Sequence, residues 1–473
     1  MSAAANNLGR ATYLLAKARF STRSGESLLY GASVLAAAVS ATITFTTVAG
    51  TWMFWQRSAH PTGLHAALVN ETGFETILNF YVGLASLACA LVLPAVISLA
   101  VSGAQLGARG REHRSAALRL IGLSSVDVTK MALVDAAVQS VAGTFVGLVV
   151  YGATASSWER MTFQAVAIRD GEMWMPWWLT LTVALVLVGV SLASSAWGLR
   201  QVRISPLGVS HRANKPAARA WRLGAFVILV LVSMIVAQST TALRGGTGLF
   251  MVAAVLALMI AGVNLLGPWI LQLVARVVAL APWPTVMVAA RRVIADPVAT
   301  WTRVSTIMVL AFVGGFLATV PFGYKSASAT PTVRAFMDGA APDFVQGGVI
   351  TVAFGFLLTS TSLLITQASA TIGRAEQSRA SYKMGFPAGF AMRVMWCETF
   401  GPLLLSTVLG GLAGVQAAMP LARQARNLGL APGDAGALIG AVLVGGLGIA
   451  VLALSASHPL QRRLVHTERR RND

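Results

Sequence analysis

The sequence predicts an all-α polytopic membrane protein: about ten transmembrane helices, set out as two parallel four-helix units with a two-helix spacer between them. Three observations carry this expectation. The chain of 473 residues is 56% hydrophobic and only 11% charged, with a mean hydropathy of +0.69, whereas a soluble domain carries roughly 25% charged residues. Apolar runs of about 20 residues, the length that crosses a bilayer, recur along its length. Finally, one short, charged, glycine-centred segment occurs twice, as ALRLIGLSSVDVTKMALVD at 117–135 and ASYKMGFPAGFAMRVMWCE at 380–398.

Taken in chain order, residues 1–28 are a polar lead-in. Within them LGRATYLLAKARFSTR (8–23) alternates basic and apolar positions and reads as an interfacial helix on the cytoplasmic face. Spans are predicted at about 29–51, 77–101, 132–153, 177–199, 222–241, 248–274, 303–322, 347–370, 399–419 and 435–456. The first is a mature helix rather than a signal peptide, because a long polar stretch precedes it and no convincing cleavage site follows. The first four-helix unit is 29–200, the spacer 201–290, the second unit 291–457 and the basic tail 458–473. The connections 52–76 and 323–346 are too short for an independent folded domain. PTVRAFMDGAAPD (331–343) has the turn-rich, polar composition of an exposed loop.

Charge sets the topology. Loops after even-numbered spans, together with both termini, hold 28 of the 36 Lys+Arg residues; the opposite side holds eight Lys/Arg and eight Asp/Glu. The positive-inside rule therefore places both termini and both repeated segments in the cytoplasm. The formal net charge of +19 is spread over six short juxtamembrane segments. It points to topogenesis and contact with anionic membrane lipid, and no nucleic acid is expected as a partner. Trp52, Trp55, Trp158, Trp174, Trp177 and Trp178 form an aromatic belt on the outer side.

The repeat aligns without gaps at an offset of 263 residues. Arg111 falls on Arg374, Ser115 on Ser378, Ala117 on Ala380, Gly122 on Gly385, Lys130 on Arg393, Asp135 on Glu398 and Gly147 on Gly410. AKARF (16–20) before the first span resembles AARRV (289–293) before the seventh. Six spans separate equivalent positions, so the copies share one orientation, unlike the inverted repeats of many secondary transporters. In the first copy a helix ends at Gly122 and Ser124 or Ser125 starts the next; in the second, Gly385-Phe386-Pro387 makes the break. The product is a helix–glycine–helix elbow leading into a spanning helix, with Asp135 and Glu398 about a turn inside that helix's start. No span buries a clear ionisable residue at mid-depth, which argues against ion coupling.

ALRLIGLSS and ASYKMGFPA resemble the loop that follows the second helix in the FtsX-like permease family of bacterial ABC systems. The matching positions are Ala117, Leu118, Arg119, Gly122 and Ser124, with Leu123 between the last two, then Ala380, Lys383, Met384, Gly385, Phe386 and Pro387. The resemblance covers both four-helix units, and ten helices with a central pair is the layout of the bacitracin-resistance-type permeases. It departs from that family's large-domain members in having no extracytoplasmic domain after the first or seventh span. The resemblance implies that these loops, flanked by Arg111 and Arg374, meet cytoplasmic ABC ATPase subunits and couple ATP hydrolysis to helix motion. Two ATPase copies would meet one chain. It also implies an amphiphilic small molecule or peptide taken from the membrane as the substrate.

No enzyme activity, cofactor or metal is expected in this chain; ATP and Mg belong to the partner. A phosphate-binding loop needs a Gly-Lys pair, and the sequence has none. His60 and His65 lack a third metal ligand, and Cys89 and Cys397 form no disulfide framework. Gly143–Gly147, Gly410–Gly414 and Gly436–Gly440 are GxxxG pairs expected to mark close helix packing. The expected function is thus the permease subunit of an ATP-driven exporter or mechanotransmission complex. The alternative is a membrane scaffold or sensor that regulates a partner without transport.

Overall fold

Long helices account for nearly all of the architecture, because a chain in hydrocarbon must satisfy its backbone hydrogen bonds internally. The computed structural model describes residues 26–72, 75–120, 125–203, 265–319, 330–373, 383–387, 389–427 and 435–456, plus single positions at 224, 228, 262 and 380; for 104–120 and 197–203 it describes the backbone alone. The predicted interfacial helix at 8–23, most of the fifth and sixth spans and the basic tail lie outside the described residues.

Helix α1 (Glu26–Ala59) is followed by the short α2 (Leu64–Thr72), then α3 (Glu75–Leu120) and α4 (Ser125–Ala155). A 3-10 turn (Ser156–Arg160) and a two-stranded hairpin, β1 (Thr162–Phe163) and β2 (Val166–Ala167), lead to α5 (Trp177–Arg203). Beyond come α6 (Leu265–Val278), α7 (Pro284–Ala295), α8 (Pro297–Thr319), α9 (Pro331–Gly373), α10 (Phe390–Asn427) and α11 (Ala435–Ala456). Among the described residues seven helices are long and apolar enough to cross a membrane, and α6 and Leu443–Ser455 of α11 are shorter apolar helices. The chain is an all-helical polytopic membrane protein, with one small hairpin among the described residues.

Threonine is a poor helix former in water, yet α1 carries a threonine-rich stretch. The hydroxyls of Thr42, Thr44, Thr46 and Thr51 each donate to the carbonyl four residues earlier, at 2.7–3.0 Å. Each polar side chain is thereby satisfied on its own helix. α3 would span roughly 69 Å at 1.5 Å per residue, more than twice a hydrocarbon core of about 30 Å. Its end at Leu120 and the start of α4 at Ser125 bracket the predicted glycine break.

The chain forms two compact units that do not follow the sequence repeat. One comprises Met1–Thr46, Val96–Ala155 and Met175–Ser210; the other comprises Thr47–Ala95, Ser156–Trp174 and His211–Asp473. In the first, α4 lies on α1 through glycine. A Cβ on Gly147 would stand 2.7 Å from the Ala38 carbonyl and 2.5 Å from the Ala41 Cβ, and one on Gly143 2.8 Å from the Val34 carbonyl. Thr42 Oγ1 donates to the Gly147 carbonyl at 3.3 Å. Phe45 stacks on Tyr151 with centroids 5.8 Å apart, and Ser33 Oγ donates to Gln139 Oε1 at 2.7 Å.

In the second unit α8 is central and packs on α9, α10 and α11. Its buried face carries Trp301, Val304, Ile307, Met308, Leu310 and Ala311. A Cβ on Gly410 would collide with the Met308 carbonyl and one on Gly414 with the Phe312 carbonyl. Gly147 and Gly410 are equivalent positions of the repeat, and each presses the third long helix of its repeat onto the first. Gly436 and Gly440 meet nothing within 4 Å among the described residues, so that GxxxG pair makes no close contact there; Gly446 meets the Phe356 ring instead.

One loop expectation is overturned. Residues 331–343 are not an exposed connection but the first three turns of α9, with Phe336 and Asp343 buried. Residues 52–59 continue α1, and 64–72 form α2.

Gly147→Leu and Gly410→Leu should each destabilise by about 1–3 kcal/mol, the usual cost of overpacking, while Gly436→Leu should leave stability unchanged. Thermal unfolding of the detergent-solubilised protein measures all three.

Candidate functional site

The second predicted elbow is described from Lys383 onward. The Met384 N–H bonds back to the Ala380 carbonyl at 3.0 Å, completing a last helical turn. Gly385 then takes φ +89°, a left-handed conformation that only glycine adopts without strain. Pro387 has no N–H to continue a helix. Its carbonyl accepts from the Phe390 N–H at 2.8 Å, and the Gly389 carbonyl accepts from the Arg393 N–H at 3.0 Å, starting α10.

The tip of this elbow is apolar and open. Met384 is 71% exposed and Phe386 43%; Lys383 and Pro387 beside them are exposed as well. The Phe386 ring leans on Phe390, centroids 4.9 Å apart, which fixes the tip to the first turn of α10. Glu398, about two turns further on, is 7% exposed. Its Oε2 accepts from Arg292 Nη1 of α7 at 3.1 Å. Next to it the Gln367 amide of α9 donates to Thr399 Oγ1 at 2.6 Å. One helix start is thus tied to α7 by charge and to α9 by a hydrogen bond.

α7 ends at Ala295 and α8 begins at Pro297; Asp296 stands between them, its Oδ1 accepting from the Ala299 N–H at 3.1 Å as an N-cap. α7 is therefore a separate lever, joined to α8 through one non-helical residue and pinned to α10 at Glu398.

In the first copy, Gly122, Leu123, Ser124 and, ahead of the second elbow, Arg374 lie outside the described residues. Arg111, Ala117, Leu118 and Arg119 are described only as helical backbone of α3. Asp135 sits half-buried on α4.

The second unit also holds a polar knot that sequence reasoning missed. Arg57, near the end of α1, donates from Nε to Glu172 Oε2 at 3.1 Å, and Nη2 contacts the same oxygen. Its remaining donors reach the carbonyls of Phe163 at 2.7 Å and Ala167 at 3.1 Å. One buried guanidinium thereby holds both strands of the hairpin. The hairpin turns at Gln164 and Ala165, at φ 57° and 61°, a two-residue turn of the kind that usually takes Asn-Gly. Three contacts compensate. The Gln164 N–H donates to Asp343 Oδ2 at 2.6 Å, its carbonyl accepts from His65 Nε2 at 3.0 Å, and Ala165 rests against Gly339. A carbonyl only accepts, so His65 Nε2 carries the hydrogen.

Asp343 is 3% exposed and also accepts from the Tyr81 hydroxyl at 2.9 Å. Its Oδ1 and the side-chain amide of Gln164 find no partner among the described residues. This buried carboxylate lies near the start of α9, ahead of the predicted span at 347–370. Glu71 of α2 accepts from Thr330 and Thr332 at the start of α9, at 3.3 and 2.8 Å. No cluster of three or more His, Cys, Asp or Glu side chains able to hold a metal occurs among the described residues. The one sequence signal for the knot was charge itself: Arg57, Glu172 and Asp343 are rare ionisable residues in an apolar chain.

No protein-family model matches the chain, and neither the curated proteins nor the solved structures contain a match.

Removing one partner of a buried ion pair strands the other, so Arg57→Ala should lower stability by about 3 kcal/mol. The double replacement Arg57→Met/Glu172→Met should cost less, a difference that a double-mutant cycle in urea or heat reads directly. Burial lowers the His65 pKa from its ordinary 6.5, against the opposing pull of its bond to Gln164. The folded ring therefore resists protonation. Its stabilising contribution is complete above pH 6.5 and declines as pH falls from there toward the lower folded value. Unfolding followed between pH 7.5 and 5 should show that decline, and His65→Gln should flatten it.

Proposed function

We propose that this chain is the permease subunit of an ATP-driven ABC exporter or mechanotransmission complex, moving an amphiphile out of the membrane. The observation that carries the reading is the elbow at 383–390: an exposed apolar tip, a left-handed glycine, and a direct lead into a membrane-spanning helix. Large apolar side chains held in the open at a charged surface call for a partner. That partner is a separate cytoplasmic ABC ATPase. It is present in two copies, one for the elbow at Gly385 and one for its sequence equivalent at Gly122.

The geometry of the second unit supports a route for force. Closure of the ATPase pushes Met384 and Phe386, which bear on Phe390 and so on the start of α10. Glu398 carries that displacement to Arg292 and swings α7 about Asp296, while Gln367 passes it to α9. The knot at Arg57, Gln164 and Asp343 holds the far end of α9, so a push at one end becomes a tilt. In this reading the chain has ten spans as two parallel units, lies in a bacterial cytoplasmic membrane with both termini inside, and takes its substrate from lipid. The scaffold reading draws on the same knot, since buried polar clamps also suit a rigid platform that moves nothing.

Purification from native membranes should bring down a P-loop ATPase. Gly385→Val forces a β-branched residue into a left-handed conformation, costing roughly 1–2 kcal/mol. Combined with Gly122→Val, it should cut the chain's stimulation of ATP turnover several-fold while membrane insertion stays normal. Undiminished stimulation in the double variant would count against the elbow, and the absence of any ATPase partner against the whole proposal.

A further inference from the structure

Between α6 and α7 the chain shows a surface that the coupling route does not use. α6 closes with the Ala279 N–H bonded to Ala275, then Leu280 to Val277 and Ala281 to Val278. Trp283 is extended, at φ −89° and ψ 116°, and Pro284 starts α7. This corner exposes large apolar side chains: Leu280 at 84%, Trp283 at 67% and Val277 at 65%. Two exposed arginines flank them, Arg276 on the last turn of α6 and Arg291 in the second half of α7. From Leu265 to Ala295 there is no acidic residue.

The orientation of α7 follows from its own packing. Ala289, Ala290 and Val293 are buried, and Arg292 is drawn to Glu398. Arg291, a single step of about 100° around the helix from Arg292, faces out. It stands about 10 Å along α7 from Pro284 at 1.5 Å per residue.

We propose that residues 276–291 form a docking strip for acidic phospholipid, with Leu280 and Trp283 set among the acyl chains and Arg276 and Arg291 on the headgroup phosphates. Three features select this occupant over a protein. The strip continues directly from an apolar helix, so Arg276 lies where hydrocarbon gives way to headgroups. Tryptophan favours that same boundary. Cations interleaved with large apolar groups, with no acid among them, match the two chemistries of an anionic lipid. Arg276, Leu280, Trp283 and Arg291 make none of the contacts of the coupling route, and the proposal stands or falls independently of any ATPase.

The test uses the full chain in mild detergent, titrated with phosphatidylglycerol or with phosphatidylcholine, reading the unfolding temperature and the lipid retained in native mass spectra. Phosphatidylglycerol should raise the unfolding temperature and remain bound, and phosphatidylcholine should do neither. Arg276→Gln and Arg291→Gln should each weaken phosphatidylglycerol binding about fivefold, the effect of one basic residue at an acidic membrane surface. Both variants should unfold with the wild type in phosphatidylcholine. Arg423→Gln, an exposed arginine on α10, should bind as the wild type does. Equal responses to the two lipids, a response reproduced by inorganic phosphate alone, or equal loss in Arg423→Gln would each overturn the proposal.

Discussion

A polar group buried in this chain has no water to turn to, and that constraint shapes each level of the structure. It forces the backbone into helices, whose hydrogen bonds close within one segment. It sends the threonine hydroxyls of α1 back to their own helix. It also makes every buried charge a fixed point, since an ionised group in apolar surroundings is tolerated only beside its counterpart. Arg57 with Glu172 and Arg292 with Glu398 are two such points in the second unit. Neither pair is a large source of stability in itself; each decides which segments must stay together.

Glycine supplies the complementary rule. Lipid tails are as apolar as leucine, so helices in a membrane gain little from hiding side chains and more from close backbone approach. Gly147 and Gly410 do the same work in the two copies of the repeat, each admitting a carbonyl of the neighbouring helix where a methyl would block it. The two copies therefore share a packing rule as well as a sequence pattern. They diverge at the hairpin after α4, whose short strands belong to the unit that contains α9.

Much of the helical framework was legible because hydropathy reports directly on the solvent that a segment faces. Seven of the predicted spans correspond to helices of spanning length and composition, and Gly385 with Pro387 marked a break that the backbone does make. The knot was hidden for specific reasons. Gln164-Ala165 lacks the Asn-Gly signal of its turn, and its strands are two residues each, too short for any alternation. Pro331, Gly339 and Pro342 read as loop residues, yet Pro331 occupies a first helical turn, Gly339 makes room for Ala165, and Pro342 is carried inside α9. Partners more than 100 residues apart, as in Arg292 and Glu398, leave no local trace at all.

The contact between Ala165 and Gly339 has an evolutionary corollary. Gly339 has no room for a side chain while Ala165 stays against it, so drift at Gly339 is conditional on the turn. Relatives that keep this turn should show the two sites co-varying as a small pair, and a lineage with a bulky residue in place of Gly339 should have reshaped the hairpin itself.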